Sequence, residues 1–191
     1  MEHRTVRDLM VPLEEYAVVG SDASLLDAVL ALDRAQAAVA AGRQPHRAVL
    51  VVDSGGRVVG KLGHLGFLKA LEPRYNAMGD LKTLARVGLS SDFISSMMSH
   101  MALWEDSFED LCQRARSTRV AEVMRPVTES ISEDAALPEA LHNIIVCQSL
   151  SLLVTRGSDV VGILRLSDLF SAVTETIRAC AEATARAGDK D

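Results

Sequence analysis

The chain has 191 residues, of which 48% are hydrophobic, and it carries a net charge of −6 at pH 7. This composition supplies a buried core for one compact domain or two small ones. The acidic balance argues against a general attraction to nucleic acid or to anionic membranes, and no apolar run approaches the ~20 residues that span a bilayer. The first residues lack the hydrophobic core of a secretory signal, so we expect a cytoplasmic protein without nucleic-acid or membrane partners.

Cysteine and histidine residues are too scattered to predict a metal or redox site. Cys112, Cys147 and Cys180 are odd in number and lack the short paired spacings of zinc sites and redox dithiols. His100 has no second ligand at metal spacing. We therefore expect reduced thiols and no metal.

The first half of the chain predicts an extended segment, a helix, two strands and a second helix. The extended segment contains RDLMVP, and the helix follows Ser24, whose spacing to Asp27 is that of a capping box. RAVLVV is short and apolar, as buried strands are, and the turn SGG joins it to a second strand that begins VVG. A shorter helix then continues from Leu65 to Leu71.

The middle segment, Glu72 to Ser117, predicts further helices. An apolar stripe recurs at three- and four-residue steps, and Ser107 is placed to cap a following helix. The stripe consists of Phe93, Met97, Met101 and Trp104, widened by Ile94 and Met98. Three roles remain open for it: packing on the rest of the chain, docking a partner helix through adaptable methionines, or pairing within a homodimer.

The second half repeats the order of the first. RDLMVP corresponds to AEVMRP at an offset of 114 residues, DASLLDAVLAL to DAALPEALHNI at 112, and HRAVLVVDSGGRVVG to QSLSLLVTRGSDVVG at 102. The first copy is therefore longer than the second, with its extra residues before Asp22 and between Arg34 and Gln44. The final helix is predicted to be capped by Ser167 and to run through Ile177. Because neither copy alone would bury enough surface, we expect the two to pack together through their sheets.

Both copies resemble CBS motifs, the β-α-β-β-α units that pair into a Bateman module. The resemblance covers residues 5–71 and 118–178. It implies an α+β fold of two pseudo-symmetric motifs packed through their sheets, with an all-helical insert. The implied boundaries are 1–71 for the first motif, 72–117 for the insert, and 118–191 for the second motif with its long C-terminal helix. Members commonly act as ligand-sensing regulators and associate as homodimers.

The last strand of each copy carries the part of the motif that concerns a ligand. In the family this strand often reads Gly-hydrophobic-x-Thr/Ser-x-x-Asp, where the hydroxyl and the carboxylate hold the ribose of an adenine nucleotide. The second copy keeps the acid as Asp168 but has Arg165 in place of the hydroxyl, whereas the first copy has Gly63 and Gly66 at these positions. The resemblance thus implies one pocket with part of a ribose clamp and a twin pocket without one.

The resemblance also implies which other residues complete the pocket of Asp168. Pro12, Tyr16 and Ala17 are expected beside a base, and His46, Arg47 and Ser149 near phosphates, with Ser167 adjoining Asp168. Arg47 and Arg165 are expected to form a clamp, because guanidinium groups match phosphate oxygens. Ordinary roles stay open for the same residues: an acid in the first helical turn, a surface ion pair, a solvated histidine and a core tyrosine.

No catalytic motif is recognisable, so we expect no enzyme activity. The leading hypothesis is a stand-alone regulatory module that requires no cofactor. It binds AMP, ADP, ATP or a related adenosyl ligand between its motifs, and so alters dimer shape or affinity for an unknown effector protein. The alternative is a non-catalytic interaction or dimerisation protein with vestigial nucleotide pockets and a helical docking insert.

Overall fold

The computed structural model describes residues 4–39, 44–77, 90, 92–93, 96, 99 and 105–188. The elements before the middle segment are β1 (Val11–Pro12), β2 (Val18–Gly20), α1 (Leu25–Ala37), β3 (Ala48–Val52), β4 (Val58–Gly63) and α2 (His64–Leu71). Those that follow are α3 (Arg74–Ala77), α4 (Phe108–Ser117), α5 (Val120–Val123), β5 (Arg125–Pro126), β6 (Ser130–Ser132), α6 (Leu137–Cys147), β7 (Ser151–Arg156), β8 (Asp159–Arg165) and α7 (Leu166–Gly188). Across these ranges, no helix combines the length and apolarity needed to cross a bilayer.

Helix starts follow the predicted capping chemistry at two places and depart from it at a third. Ser24 caps α1 in a capping box with Asp27, and Ser107 caps α4 in the same way, which confirms both predictions. The prediction for Ser167 is wrong, because α7 already begins at Leu166. The N–H of Leu166 donates to the carbonyl of Leu150 at 3.0 Å, so the neighbouring hairpin provides the acceptor that a capping side chain otherwise supplies.

The strands form two four-stranded sheets, and each sheet contains one short strand from the other half of the chain. The orders are β1-β8-β7-β6 and β2-β3-β4-β5. β1, from the first RDLMVP segment, pairs antiparallel with β8, and β5, from AEVMRP, pairs antiparallel with β4. The two copies therefore exchange their Met-x-Pro segments, and each completes the sheet of its twin.

The hairpins of the two copies differ in length by one residue. In the first hairpin Val51 lies opposite Gly60, and in the second Val154 lies opposite Gly162. The first hairpin therefore has one more residue between its paired positions than the second hairpin has. As a result, the offset that aligns β4 with β8 does not align β3 with β7. The structure places His46, rather than Arg47, at the position corresponding to Ser149.

Buried side chains form one cluster against each sheet, which includes residues of the exchanged segment, and a third cluster between the sheets. The third cluster contains Val11, Tyr16, Leu50, Leu153 and Ile163, which come from both sheets. This confirms that the copies pack through their sheets in a mixed α+β fold. The buried faces of β3, β7 and β8 are shared between a half's own core and this common one.

The described part of the middle segment packs against the first half. α4 contacts α1 and α2, and Arg114 donates to the carbonyl of Leu71 and, at 2.8 Å, to Asp106. Asp106 also pairs with Arg74 at 3.0 Å, and Arg74 pairs with the buried Glu72 at 2.6 Å. For α4 the structure thus supports intramolecular packing. Of the predicted stripe, Phe93 is exposed, whereas Ile94, Met97, Met98, Met101 and Trp104 lie outside the described residues, as does His100.

The exchanged strands approach their partner sheets so closely that only glycine fits. A Cβ on Gly162 would lie 2.6 Å from the Val11 carbonyl oxygen and 3.1 Å from the Met10 sulfur. We expect Gly162→Ala to lower the free energy of unfolding by about 1–3 kcal/mol, because β1 must move. Gly63→Ala is the control, since its nearest neighbour would be the Arg47 carbonyl at 3.6 Å, an ordinary contact. Urea unfolding measures both, and equal losses would contradict the proposed role of close strand contact.

Candidate functional site

The corner between β8 and α7 carries a pair of oppositely charged side chains. Arg165 is the last residue of β8 and Asp168 lies in the first turn of α7. The Arg165 Nε donates to Asp168 Oδ2 at 2.5 Å and its Nη2 donates to Oδ1 at 2.8 Å. Only 8% of the Arg165 side chain and 15% of the Asp168 side chain are exposed. This is a bidentate, largely buried ion pair, the stronger geometry for such pairs.

The same guanidinium reaches the first half of the chain. Its Nη1 donates to the Gln44 carbonyl at 2.9 Å and to the Pro45 carbonyl at 3.3 Å. Gln44 and Pro45 precede β3, whereas Arg165 ends β8. Arg165 therefore links the two halves directly.

An aromatic pair lies in the electrostatic environment of this corner. The rings of Tyr16 and His46 meet edge to face, with centroids 4.5 Å apart, and both residues are buried. Burial, above all, raises the pKa of the Tyr16 phenol to about 12; the positive charge of Arg165 lowers that pKa and the negative charge of Asp168 raises it. The phenol is therefore neutral at physiological pH and remains a hydrogen-bond donor.

A cleft of about 320 Å³ opens beside Asp168, and both halves line it. The first half contributes Arg4, Asp8 and Gln44, and the second contributes Asp168, Ser171 and Glu175. Arg4 and Glu175 approach each other across it at 3.5 Å. Sequence reasoning missed Arg4 and Asp8, because their position depends on the strand exchange that carries the N-terminal segment to the second half.

The structure groups some of the predicted site residues and separates others. Arg165 and Asp168 are in contact, and Tyr16 and His46 lie near them, whereas the two-arginine clamp is not formed. Arg47 is exposed, and its guanidinium makes no hydrogen bond or ion pair with any described residue; its carbonyl accepts from the N–H of His64 at 3.2 Å.

Three of the four remaining predicted residues have backbone or core roles. Ala17 is buried, with its carbonyl bound by the N–H of Leu50 at 2.8 Å. Pro12 pairs with Gly162 and lines a separate hollow. The Ser167 carbonyl accepts from the Ser171 hydroxyl at 3.0 Å.

Ser149, the fourth, belongs to the twin corner of the first copy. There the Lys61 Nζ donates to Ser149 Oγ and to the Ser151 carbonyl, both at 3.3 Å. Burial lowers the pKa of this half-buried amine, while the nearby Glu129 raises it. Lys61 thus ties the first half to the second where Gly63 and Gly66 offer no polar side chain. Its equivalent in the second copy is the buried Ile163, so sequence reasoning had no signal for it.

A buried carboxylate holds the N-terminal wall of the cleft against the second half. Glu133 is 1% exposed and accepts hydrogen bonds from Arg7 at 3.1 Å and from Arg156 at 2.9 Å. These two guanidinium groups lower the pKa of Glu133 to about 2, Arg156 contributing most. Arg7 also pairs with the exposed Asp134 at 2.7 Å.

Comparison with known proteins matches one part of the chain to a domain family and most of the chain to a known fold. Residues 120–175 match the model of the CBS domain. CBSX2 from Arabidopsis thaliana has a similar structure, with a TM-score of 0.57 and 17% identity over 91% of this chain and 96% of that one. The chain folds as a tandem CBS module. The family model matches the second motif, and the first motif has the same order of elements with its strands exchanged.

Two other solved structures support this fold. A structure of CBSX2 in complex with AMP matches with a TM-score of 0.55 and 17% identity over 90% of this chain and 97% of that one. A CBS domain-containing protein from Bacillus anthracis matches with a TM-score of 0.59 and 15% identity over 91% and 95% of the two chains. No curated protein sequence matches the chain significantly. Within the described residues of the module, no cluster of three or more histidine, cysteine or acidic side chains could hold a metal ion.

The pKa of Glu133 predicts a specific acid sensitivity. It lies at about 2 in the folded protein, below the ordinary value of 4.5. The ionised carboxylate therefore stabilises the fold above pH ~4.5, and this contribution is lost as the pH falls towards about 2. We expect Glu133→Gln to lower the urea midpoint at pH 7 and to flatten its fall between about pH 4.5 and pH 2.

Asp134→Asn is the matched control, because Asp134 also pairs with Arg7 but its side chain is 74% exposed. Its unfolding curve should change little at pH 7. If both variants lose the same stability, Glu133 has no special role in holding the N-terminal segment.

Proposed function

We propose that this CBS module is a non-catalytic regulator that binds an adenine nucleotide in the cleft beside Asp168. The supporting observation is that Asp168, the acid at the ligand position of the motif, lines a cleft to which both halves contribute. The similar fold of CBSX2, whose structure was solved with AMP, adds support. AMP, ADP, ATP and related adenosyl compounds are the candidate ligands, and the cytoplasm is the proposed site of action.

The chemistry of the cleft suits a nucleoside phosphate. A carboxylate such as Asp168 can accept hydrogen bonds from both hydroxyls of a ribose. Arg165, which is bound to the lining residues Asp168 and Gln44, carries a fork of donors that matches phosphate oxygens once it leaves Asp168. Tyr16 and His46 form an aromatic pair near the same corner, but both are buried and neither is among the residues that line the cleft, so the pair supports the corner from behind.

Regulation follows from the shared construction of the cleft. A ligand that contacts Arg4 and Gln44 on one side and Asp168 on the other makes contacts that depend on how the halves are packed. It therefore favours one relative packing over another, by as much free energy as its affinity differs between them. An effector protein that recognises one packing would then respond to the ligand.

We also propose that the module is a homodimer. Helices α6 and α7 contact each other and expose apolar side chains, with Ile145 71%, Val146 65% and Phe170 67% exposed. Apolar surface gathered in this way is typical of interfaces, and a self-complementary face gives a closed two-fold dimer. A ligand that shifts the packing of the halves would also alter the shape of such a dimer.

The alternative function is a non-catalytic interaction protein whose nucleotide pockets are vestigial. The bare corner at Gly63 and Gly66 favours this interpretation, because that half presents no ribose clamp. It predicts that adenine nucleotides leave the stability of the protein unchanged.

Thermal unfolding with adenine nucleotides tests the sensor hypothesis. A ligand that binds only the folded protein adds about 2.7 kcal/mol at 100 times its dissociation constant, so AMP, ADP or ATP should raise the melting temperature. Asp168→Asn should abolish most of this rise, because the neutral amide loses the charge-assisted hydrogen bonds that an ionised carboxylate accepts from the ribose hydroxyls.

Asp159→Asn provides the control, since Asp159 is an exposed acid at the opposite end of β8. It should leave the nucleotide effect intact. Absence of any shift in the unmodified protein would favour the alternative function, and an equal loss in both variants would remove Asp168 from the site.

Sedimentation analysis tests the dimer. Phe170→Glu places a charge on the apolar face of α6 and α7 and should convert the dimer to monomer at micromolar concentration. Phe108→Glu is the matched control, because Phe108 is a phenylalanine on α4 that is 82% exposed and lies off this face. A monomeric unmodified protein, or a dimer that survives Phe170→Glu, would exclude this interface.

A further inference from the structure

The carboxylate of Asp168 is already occupied by a group of the protein itself. Both of its oxygens accept hydrogen bonds from Arg165, at 2.5 Å and 2.8 Å. A vicinal diol needs the same two oxygens. Each oxygen keeps a second lone pair, but only 15% of the Asp168 side chain is exposed, so a ribose that takes both oxygens competes with Arg165.

The fold itself does not require this ion pair. The first half makes the same strand-to-helix corner with Gly63 and Gly66 at the corresponding positions. In both halves the first helical N–H donates to a hairpin carbonyl: Leu166 to Leu150 at 3.0 Å, and His64 to Arg47 at 3.2 Å. Because one corner forms without either charge, the pair at the other is better explained by the cleft that it borders.

Charge balance decides what can displace Arg165. Removing one member of a buried ion pair leaves the other without a partner, which is strongly unfavourable. A nucleoside offers hydroxyls to Asp168 but nothing to the guanidinium. A phosphate replaces the carboxylate with another anion that fits the guanidinium fork. Asp8 and Glu175 line the cleft and oppose an anion, whereas Arg4 lines it too and attracts one. Arg165 adjoins the cleft through its bonds to the lining residues Asp168 and Gln44 and adds a second positive charge.

We infer that Arg165 makes this cleft selective for ligands that carry both a phosphate and a vicinal diol. The phosphate takes the guanidinium of Arg165, and the two hydroxyls of the diol replace the two donors that Asp168 loses. This inference rests on the proposed nucleotide site and adds the reason why the site rejects nucleosides. Because the same guanidinium holds the carbonyls of Gln44 and Pro45, the exchange also changes a link between the halves.

Calorimetric titration with adenosine and with AMP tests the exchange. The unmodified protein should bind AMP about tenfold more tightly than adenosine, or more. The reason is that only AMP carries a phosphate that can replace Asp168 as the anionic partner of Arg165. In Arg165→Met, Asp168 is free from the start, so adenosine should bind about tenfold more tightly than it does to the unmodified protein. The advantage of AMP should fall to within about threefold.

Two further variants keep the test decisive. Arg165→Lys retains the charge without the fork and should shift the adenosine affinity in the same direction by a smaller factor, even if Arg165→Met folds poorly. Arg119→Met is the matched control: Arg119 is exposed and donates to the Asp22 carbonyl at 2.6 Å, outside the cleft. It should leave the affinities for both ligands unchanged.

The outcomes separate this inference from the proposed function. If the unmodified protein binds AMP but a folded Arg165 variant binds adenosine no better, the exchange is wrong and the nucleotide site stands. If neither the unmodified protein nor the Arg165 variants bind adenosine or AMP, both ideas fail.

Discussion

The architecture depends on the exchange of two very short strands. β1 and β5 come from equivalent Met-x-Pro segments, and each completes the sheet of the opposite copy. The contact is too close for any side chain at Gly162, where the Val11 carbonyl lies against the backbone. Neither half can therefore complete its own sheet alone. The exchange also carries the N-terminal segment, with Arg4 and Asp8, to the corner of Asp168, so the same constraint creates a cleft with walls from both halves.

Each copy of the repeat has a corner where its last strand leads directly into a helix, but the side chains at the two corners differ. The second copy places a buried, bidentate ion pair where the first has two glycines. The first copy instead uses Lys61, which reaches the opposite hairpin through neutral acceptors, Ser149 Oγ and the Ser151 carbonyl. Both corners thus connect the halves through a basic side chain. Only in the second copy is that side chain paired with an acid that a sugar can use, so ligand recognition is concentrated in one cleft.

Local signals in the sequence predicted the order of helices and strands within each copy, because capping boxes and hairpins are set by neighbouring residues. They did not predict the exchange of β1 and β5. The repeat made the pairing of the sheets predictable as well. Contacts between distant residues were not predictable in this way. The sequence alignment used one offset for the whole hairpin and so missed the one-residue difference in length between the two copies. With that offset Arg47, rather than His46, appeared to be the residue equivalent to Ser149. Spacing put Arg165 and Asp168 on one side of the corner, but not in contact, because a guanidinium can bind a ligand or a carboxylate equally well.

The ion pair between Arg165 and Asp168 joins two groups of the same proposed binding site, and this affects how the site responds to a ligand. Without ligand, Arg165 satisfies Asp168 and the carbonyls of Gln44 and Pro45 together, so it stabilises one arrangement of the halves. A ligand that took only the diol position would have to break this arrangement without replacing it. A ligand that takes both positions substitutes one set of charge-assisted bonds for another, and the free energy that it transmits is the difference between the two sets. A large response therefore needs the ligand-bound set to be much stronger than the set in which Arg165 holds Asp168 and the two carbonyls.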